Sequence, residues 1–184
     1  MSRPIADSSV RIAWSDDADA IGDLQVRSWR EVYADVLPDD LLEAMPAADF
    51  AGAWRQAVTR PREARQRVLV GLERATVRGF AATAPAADAD TDPGRDGEVV
   101  EFVVDSEHRG IGHGSRLLHA VVDTLRSDKF ARALWWVDAD ADALRGFLVA
   151  QGWGPDGAHR ELDLRADGAV RVKQVRLHTD LSTG

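Results

Sequence analysis

The chain of 184 residues contains no cysteine, so disulfides and thiol nucleophiles are excluded and a cytoplasmic setting is expected. No run of about 18 apolar residues is present, so no membrane-spanning helix is expected. The opening MSRPIADSSV lacks the apolar stretch of a secretory leader. A single tyrosine, Tyr33, is the sole source of a phenol. Cations are outnumbered by anions, 23 Lys and Arg against 31 Asp and Glu, and the net charge is −8. That balance argues against general nucleic-acid binding and favours a cationic or neutral substrate over an anionic one. No repeat of solenoid period is found. What remains is 45% apolar residues and six tryptophans, enough for one folded domain over 1–184 with a true core. The bias toward Ala, Asp, Arg and Val reads as a GC-rich genome and carries no functional signal.

The most informative stretch runs from Gly97 to Leu125. Glu98 to Val104 is rich in Val and Phe and predicts a buried strand. Leu117, Leu118, Val121, Val122 and Leu125 fall at helical spacing. Between them lies Arg109-Gly110-Ile111-Gly112-His113-Gly114, with three glycines in five positions. Helix propensity does not account for them, because each costs about 1 kcal/mol relative to Ala. A bare backbone ahead of a helix N-terminus offers free N–H groups and the positive end of the macrodipole, which suits a phosphate. The loop lacks the Lys of a P-loop, and Ser115 stands where a dinucleotide fingerprint has its third Gly.

Arg109-x-x-Gly112-x-Gly114 after a strand resembles the Arg/Gln-x-x-Gly-x-Gly/Ala signature of the GNAT acetyltransferase superfamily. The resemblance implies that the backbone from Arg109 through Gly110, Ile111, Gly112, His113 and Gly114 to Ser115 holds the pyrophosphate of acetyl-coenzyme A. It also implies that the backbone of Phe102, Val103 and Val104 pairs with pantetheine as an added strand would. The arm would enter where strands 98–104 and 133–137 splay apart. Acetyl transfer would be direct, to a primary amine, without an acyl-enzyme. The absence of cysteine agrees with that.

The remaining chain extends the resemblance. Val10–Trp14 predicts a first strand, and Ser15, Asp16 and Asp17 are candidate caps for a helix over Ala18–Asp35. Short helices are expected over Asp39–Met45 and Ala47–Thr59, the second opened by Pro46. VRSWREVYADVLPDDLL followed by WRQAV resembles the front of many bacterial members, where this region covers the acceptor. Trp29 and Tyr33 lie four apart on one face, as acceptor-side residues or as core. Arg67–Leu72 and Thr76–Ala84 predict two strands about a short turn. Residues 85–97, PAADADTDPGRDG, predict a mobile, solvated loop. Asp88, Asp90 and Asp92 alternate as in a calcium loop, but Pro93 and Val99 occupy the positions that need Gly and Glu, so no metal is expected. Asp138, Asp140 and Asp142 read as a strand end and a helix cap.

Two acids in a buried strand are costly without partners or a task. A protonated amine cannot attack a thioester, so acetylation needs a base, and burial raises a carboxylate toward neutrality. Glu98 stands eleven residues before Arg109, the placement of the general base in the histone-acetyltransferase branch of the family. The alternative is a solvated strand end. Glu101 either pairs with a neighbouring helix or faces the acceptor groove.

LWWVDADADALRGFLVAQGW resembles the second motif of the family, with Phe147 and Gly152-Trp153 in register. Two positions depart from it. Ala141 replaces an Asn that contacts the coenzyme, and Leu148 replaces a Tyr that protonates the departing thiolate. Tyr33 or solvent would take over that proton transfer. His159–Leu164 and Val170–His178 predict a final hairpin about Asp167-Gly168. The expected fold is thus an α/β (α+β) GNAT-like domain with a mixed, mostly antiparallel sheet of about seven strands flanked by helices. The expected function is acetyl-coenzyme A-dependent N-acetyltransfer to a small-molecule, peptide or protein amine, without metal, nucleic acid or membrane, and with a homodimer left open. The alternatives are a coenzyme-binding sensor without catalysis and a protein-interaction module.

Overall fold

The computed structural model describes residues 8–165 and 168–182. Residues 1–7, which hold most of the opening segment read for a leader, lie outside that range. In chain order the elements are β1 (Ser8–Ile12), α1 (Ala18–Val32), α2 (Asp39–Glu43), α3 (Ala47–Thr59), β2 (Arg67–Glu73), β3 (Thr76–Pro85), β4 (Asp96–Val104), α4 (His113–Ser127), β5 (Arg132–Asp138), α5 (Asp142–Ala150), β6 (Gly154–Asp163) and β7 (Arg171–Asp180). The sheet has seven strands in the order β1-β2-β3-β4-β5-β7-β6. It is mixed and mostly antiparallel, with β4 and β5 running parallel.

Boundaries depart from the sequence reading where a partner strand sets the length. β1 covers Ser8–Ile12 instead of Val10–Trp14, because it pairs from Ser8↔Glu73 to Ile12↔Leu69. Trp14 is left 64% exposed under the Arg11 guanidinium. α1 stops at Val32, three residues early, where Tyr33 at φ −106° donates its N–H to Trp29 O. α2 likewise ends at Glu43, two residues before the expected Met45. β6 starts at Gly154, five residues before His159, through pairing with His178. Within the final turn, Asp167 lies outside the described residues, while Gly168 takes φ 74°.

The chain divides into two compact units. The first comprises residues through Thr83 together with Glu101–Thr124. Its core joins Ile21 and Leu24 of α1 to Val68, Val70 and Leu72 of β2, Phe80 and Ala82 of β3 and Val103 of β4. Trp54 of α3 packs on this core, its ring T-shaped to Phe80 with centroids 5.1 Å apart.

The second unit comprises Ala84–Val100 and Leu125–Gly184. Leu134, Leu148 and Leu177 are fully buried here, and Trp135 and Trp153 meet edge to face at 5.9 Å. β4 enters this unit at Gly97, where a Cβ would lie 2.7 Å from a methyl of Leu125 and 2.8 Å from the Phe130 ring. Only glycine fits there. β4 pairs with β5 from Asp96↔Arg132 to Val99↔Trp135.

Asp90 and Asp92 of the segment before β4 are exposed and Asp88 is half-buried, and Asp88 and Asp90 share a guanidinium partner. Arg176, 4% exposed on β7, donates to Asp88, Asp90 and Asp156. Trp136 Nε1 donates to Asp88 at 2.8 Å, and Arg160 stacks over the Trp136 ring at 4.3 Å. The Arg176 hydrogen bond holds Asp90 at about 2. Its contribution to stability is therefore present above the unfolded carboxylate pKa and lost as the pH falls through about 2. Removing one partner of a buried ion pair costs roughly 3–5 kcal/mol. Asp90 is largely exposed, so Arg176→Met is expected to cost about 3 kcal/mol, the lower end of that range. Scanning calorimetry would read this as a drop of roughly 6–12 °C in Tm. An unchanged Tm would show that the network contributes no net stability.

Candidate active site

The chain leaves β4 through Asp105, which is 2% exposed. Asp105 donates its N–H to Arg78 O at 2.8 Å, and its carboxylate meets Arg78 at 3.4 Å and Arg27 at 3.6 Å. A short 3-10 turn over Ser106–His108 follows, then the glycine loop. Gly110 at φ 77° and Gly112 at φ 97° occupy left-handed backbone that other residues adopt at a cost. α4 begins at His113, and its first outward-reaching bond runs from Arg116 N–H to Gly112 O at 3.1 Å. The amides of His113, Gly114 and Ser115 are therefore the free donors of the first turn. Ile111 is exposed, and Arg109 makes an exposed pair with Glu31 at 3.1 Å. Such a pair is worth at most about 1 kcal/mol, so it holds Arg109 only weakly.

The His113 side chain does not share the openness of its backbone. It is 6% exposed, its Nε2 has no hydrogen-bond partner, and burial pushes its pKa down. It contributes an amide, not a cation, to the loop.

Glu101 sits on the part of β4 that belongs to the first unit. Its Oε2 accepts a hydrogen bond from Gln25 Nε2 of α1 at 3.2 Å, and Gln25 Oε1 accepts from Trp54 Nε1 of α3 at 2.6 Å. Burial pushes the Glu101 carboxyl up to about 7, against hydrogen bonds from the Phe102 amide and Gln25 that favour the ionised form. Among the described residues, no ion pair joins it. Glu98 belongs to the second unit and is half-buried. Burial and the charge of Asp88 raise its pKa, while Arg160, the Ala87 amide and Arg176 pull it down.

Trp29 and Tyr33 meet edge to face at 5.9 Å, and Trp29 meets Phe50 of α3 at 5.6 Å. All three rings are half-buried. Val103 is buried in the core, and Phe102 and Val104 are half-buried. In the second unit, Ala141 is the N-cap of α5 without a side-chain bond, so Asp142 lies in the first turn and not at the cap. Leu148 is 0% exposed, so a phenol at that position would lie in the core. Asp105, Glu107 and His108 group three potential metal ligands, but Asp105 is already committed to two arginines.

Gln25 and Trp54 escaped the sequence reading as site residues. The available signal was a glutamine on the otherwise apolar Ile21–Leu24 stripe, a position where an unpaired amide would be costly.

The Acetyltransferase (GNAT) family model matches residues 19–153, and the chain belongs to that family. It is 27% identical over 169 residues to the uncharacterized N-acetyltransferase YuaI of Bacillus subtilis, covering 92% of this chain and 91% of the relative. An N-acetyltransferase structure from Staphylococcus aureus Mu50 superposes with a TM-score of 0.75 at 18% identity, covering 96% of this chain and 99% of that one. The acetyltransferase yncA of Salmonella typhimurium, solved with acetyl-CoA, superposes with a TM-score of 0.70 at 18% identity, covering 96% and 95%. These two structures are similar in fold. No helix among the described residues is long and apolar enough to cross a membrane.

Proposed function

We propose that this chain is an acetyl-coenzyme A-dependent N-acetyltransferase that moves the acetyl group directly to a primary amine, with Glu101 as the proton acceptor. The observation that carries the reading is the Glu101 carboxylate, half-buried on β4 with a hydrogen bond from Gln25 and no ion pair among the described residues, and pushed up to about 7 by burial. A base with that pKa is half-ionised at neutral pH and can take a proton from the incoming ammonium. The amides of His113, Gly114 and Ser115, with Arg109, would bind the coenzyme pyrophosphate. The backbone of Phe102 to Val104 would align the pantetheine arm. Bound acetyl-coenzyme A supplies the activated acetyl group. Trp29, Tyr33 and Phe50 would shape the acceptor side and limit access of water. The amine nitrogen forms the new bond to the acetyl carbon, the carbon–sulfur bond breaks, and the thiolate takes its proton from Tyr33 or solvent. Glu98 is the competing base, since burial also raises it.

A second reading, a coenzyme-binding sensor without turnover, is favoured by Ala141 and by Leu148, which puts no hydroxyl at the family's acid position. Calorimetry with acetyl-coenzyme A, followed by coenzyme A release over a panel of small amines, aminoglycosides, peptide N-termini and lysine peptides, separates the two. Turnover on any member supports the enzyme. Tight binding without turnover on every member supports the sensor, and absence of binding overturns both.

A further inference from the structure

We propose that Trp54 and Gln25 form a positioning relay that sets the orientation and ionisation of the Glu101 carboxylate. The role in catalysis rests on the reading of Glu101 as the proton acceptor; the relay itself rests on geometry.

An amide side chain can present either end to a neighbour, and here the indole decides which. Trp54 Nε1–H is a donor only, so at 2.6 Å it must face Gln25 Oε1. Nε2 of Gln25 is thereby turned to Glu101 Oε2 at 3.2 Å. Gln25 is 5% exposed beside Ile21 and Leu24 of the same helix, where solvent is largely excluded. The indole is itself held, T-shaped to Phe80 with ring centroids 5.1 Å apart. Two elements, α3 and α1, thus deliver one N–H to one carboxylate oxygen on a third, β4. Without the indole, Gln25 is free to flip and place its own oxygen against the carboxylate.

Glu98 on β4 and Arg116 on α4 are half-buried charges, and several charges on α1, α3 and β1–β3 pair elsewhere or are exposed. Arg27 of α1 and Arg78 of β3 pair with Asp105, and Arg78 also pairs with Glu73 of β2. Arg11 of β1 pairs with Asp17, Arg55 of α3 with Asp19, and Glu31 of α1 with Arg109. Asp23 of α1 and Asp49 of α3 are exposed. Among the described residues, the Gln25 hydrogen bond is the one side-chain interaction that favours the ionised form of Glu101 against burial.

The test titrates the Glu101 carboxyl carbon by NMR in the full chain and measures the pH profile of kcat/KM, for wild type, Trp54→Phe and Gln25→Leu. Loss of one hydrogen bond to a charged group should raise the Glu101 pKa by about one pH unit. Trp54→Phe keeps an aromatic ring on Phe80, so folding is retained while the donor is lost. The expected result is a raised carboxyl titration in both variants, with the acid limb of kcat/KM moving up by the same amount. An unchanged titration in both variants overturns the relay, and a lowered Tm without a titration shift would assign the pair a packing role only. A raised titration with an unmoved limb supports the relay and overturns Glu101 as the base.

Discussion

Glu101→Gln is expected to lower kcat by about 10²–10⁴-fold, the typical contribution of a general base, while coenzyme affinity stays within about two-fold. The substitution keeps the side-chain shape and an oxygen for the Gln25 N–H, and it removes the proton acceptor. The limb of the wild-type profile that rises with pH near 7 should vanish. Stability should move the opposite way. The folded carboxyl titrates at about 7 against an ordinary value of 4.5, so between those values the folded state binds more protons than the unfolded state. Wild-type stability therefore falls as the pH rises through that window and levels off above it. At about 1.4 kcal/mol per pH unit, the full cost of the buried charge is about 3 kcal/mol. The variant should melt above wild type at pH 8 and converge with it near pH 4. Loss of turnover with a gain in alkaline stability is a signature that simple damage to the fold cannot produce. Wild-type turnover at every pH would remove Glu101 from the chemistry and turn attention to Glu98→Gln. Under the present reading that second variant stays within a few-fold of wild type.

Gly114→Asp is expected to weaken acetyl-coenzyme A binding by more than about 100-fold while leaving the protein folded. Gly114 lies in the first turn of α4, where its amide is one of the free donors. A carboxylate there would occupy the space in front of the amides and repel the pyrophosphate. The same carboxylate favours the helix itself by about 0.3–1 kcal/mol through the macrodipole, so the melting temperature should hold. Gly112→Asp carries the same expectation for binding, but Gly112 sits at φ 97°, which adds backbone strain and blurs the result. Calorimetric titration decides the matter, and an unchanged dissociation constant for Gly114→Asp would move the phosphate site away from this loop.

Local patterns made much of this protein legible. The alternation and β-branched content of β4, the glycine spacing after it and the apolar stripe of α4 each depend on a few neighbouring residues alone. The strands of the sheet were found in the right order along the chain, with ends misplaced by two to five residues at β1 and β6. Those ends depend on where a distant partner strand stops, as in Ser8↔Glu73 and Gly154↔His178. Asp88 and Asp90 read as solvated because the Pro, Gly, Asp and Thr content of residues 85–97 reports a loop and names no distant partner. Their partner, Arg176, comes more than eighty residues later.

The acids of β4 separate the two kinds of knowledge most clearly. The sequence by itself determined that two carboxylates stand on a strand ahead of a glycine-rich loop and a helix N-terminus. It did so because strand periodicity and glycine conformational freedom are properties of consecutive residues. Which carboxylate is poised near neutrality was decided by tertiary structure alone. Burial on β4 raises Glu101, and Gln25 from α1, oriented by Trp54 from α3, gives it a single hydrogen-bonding side chain. Glu98 instead lies under the influence of Asp88, Arg160 and Arg176, brought from a loop and two later strands. A pKa is a sum over neighbours in space, and the folded chain alone assembles those neighbours.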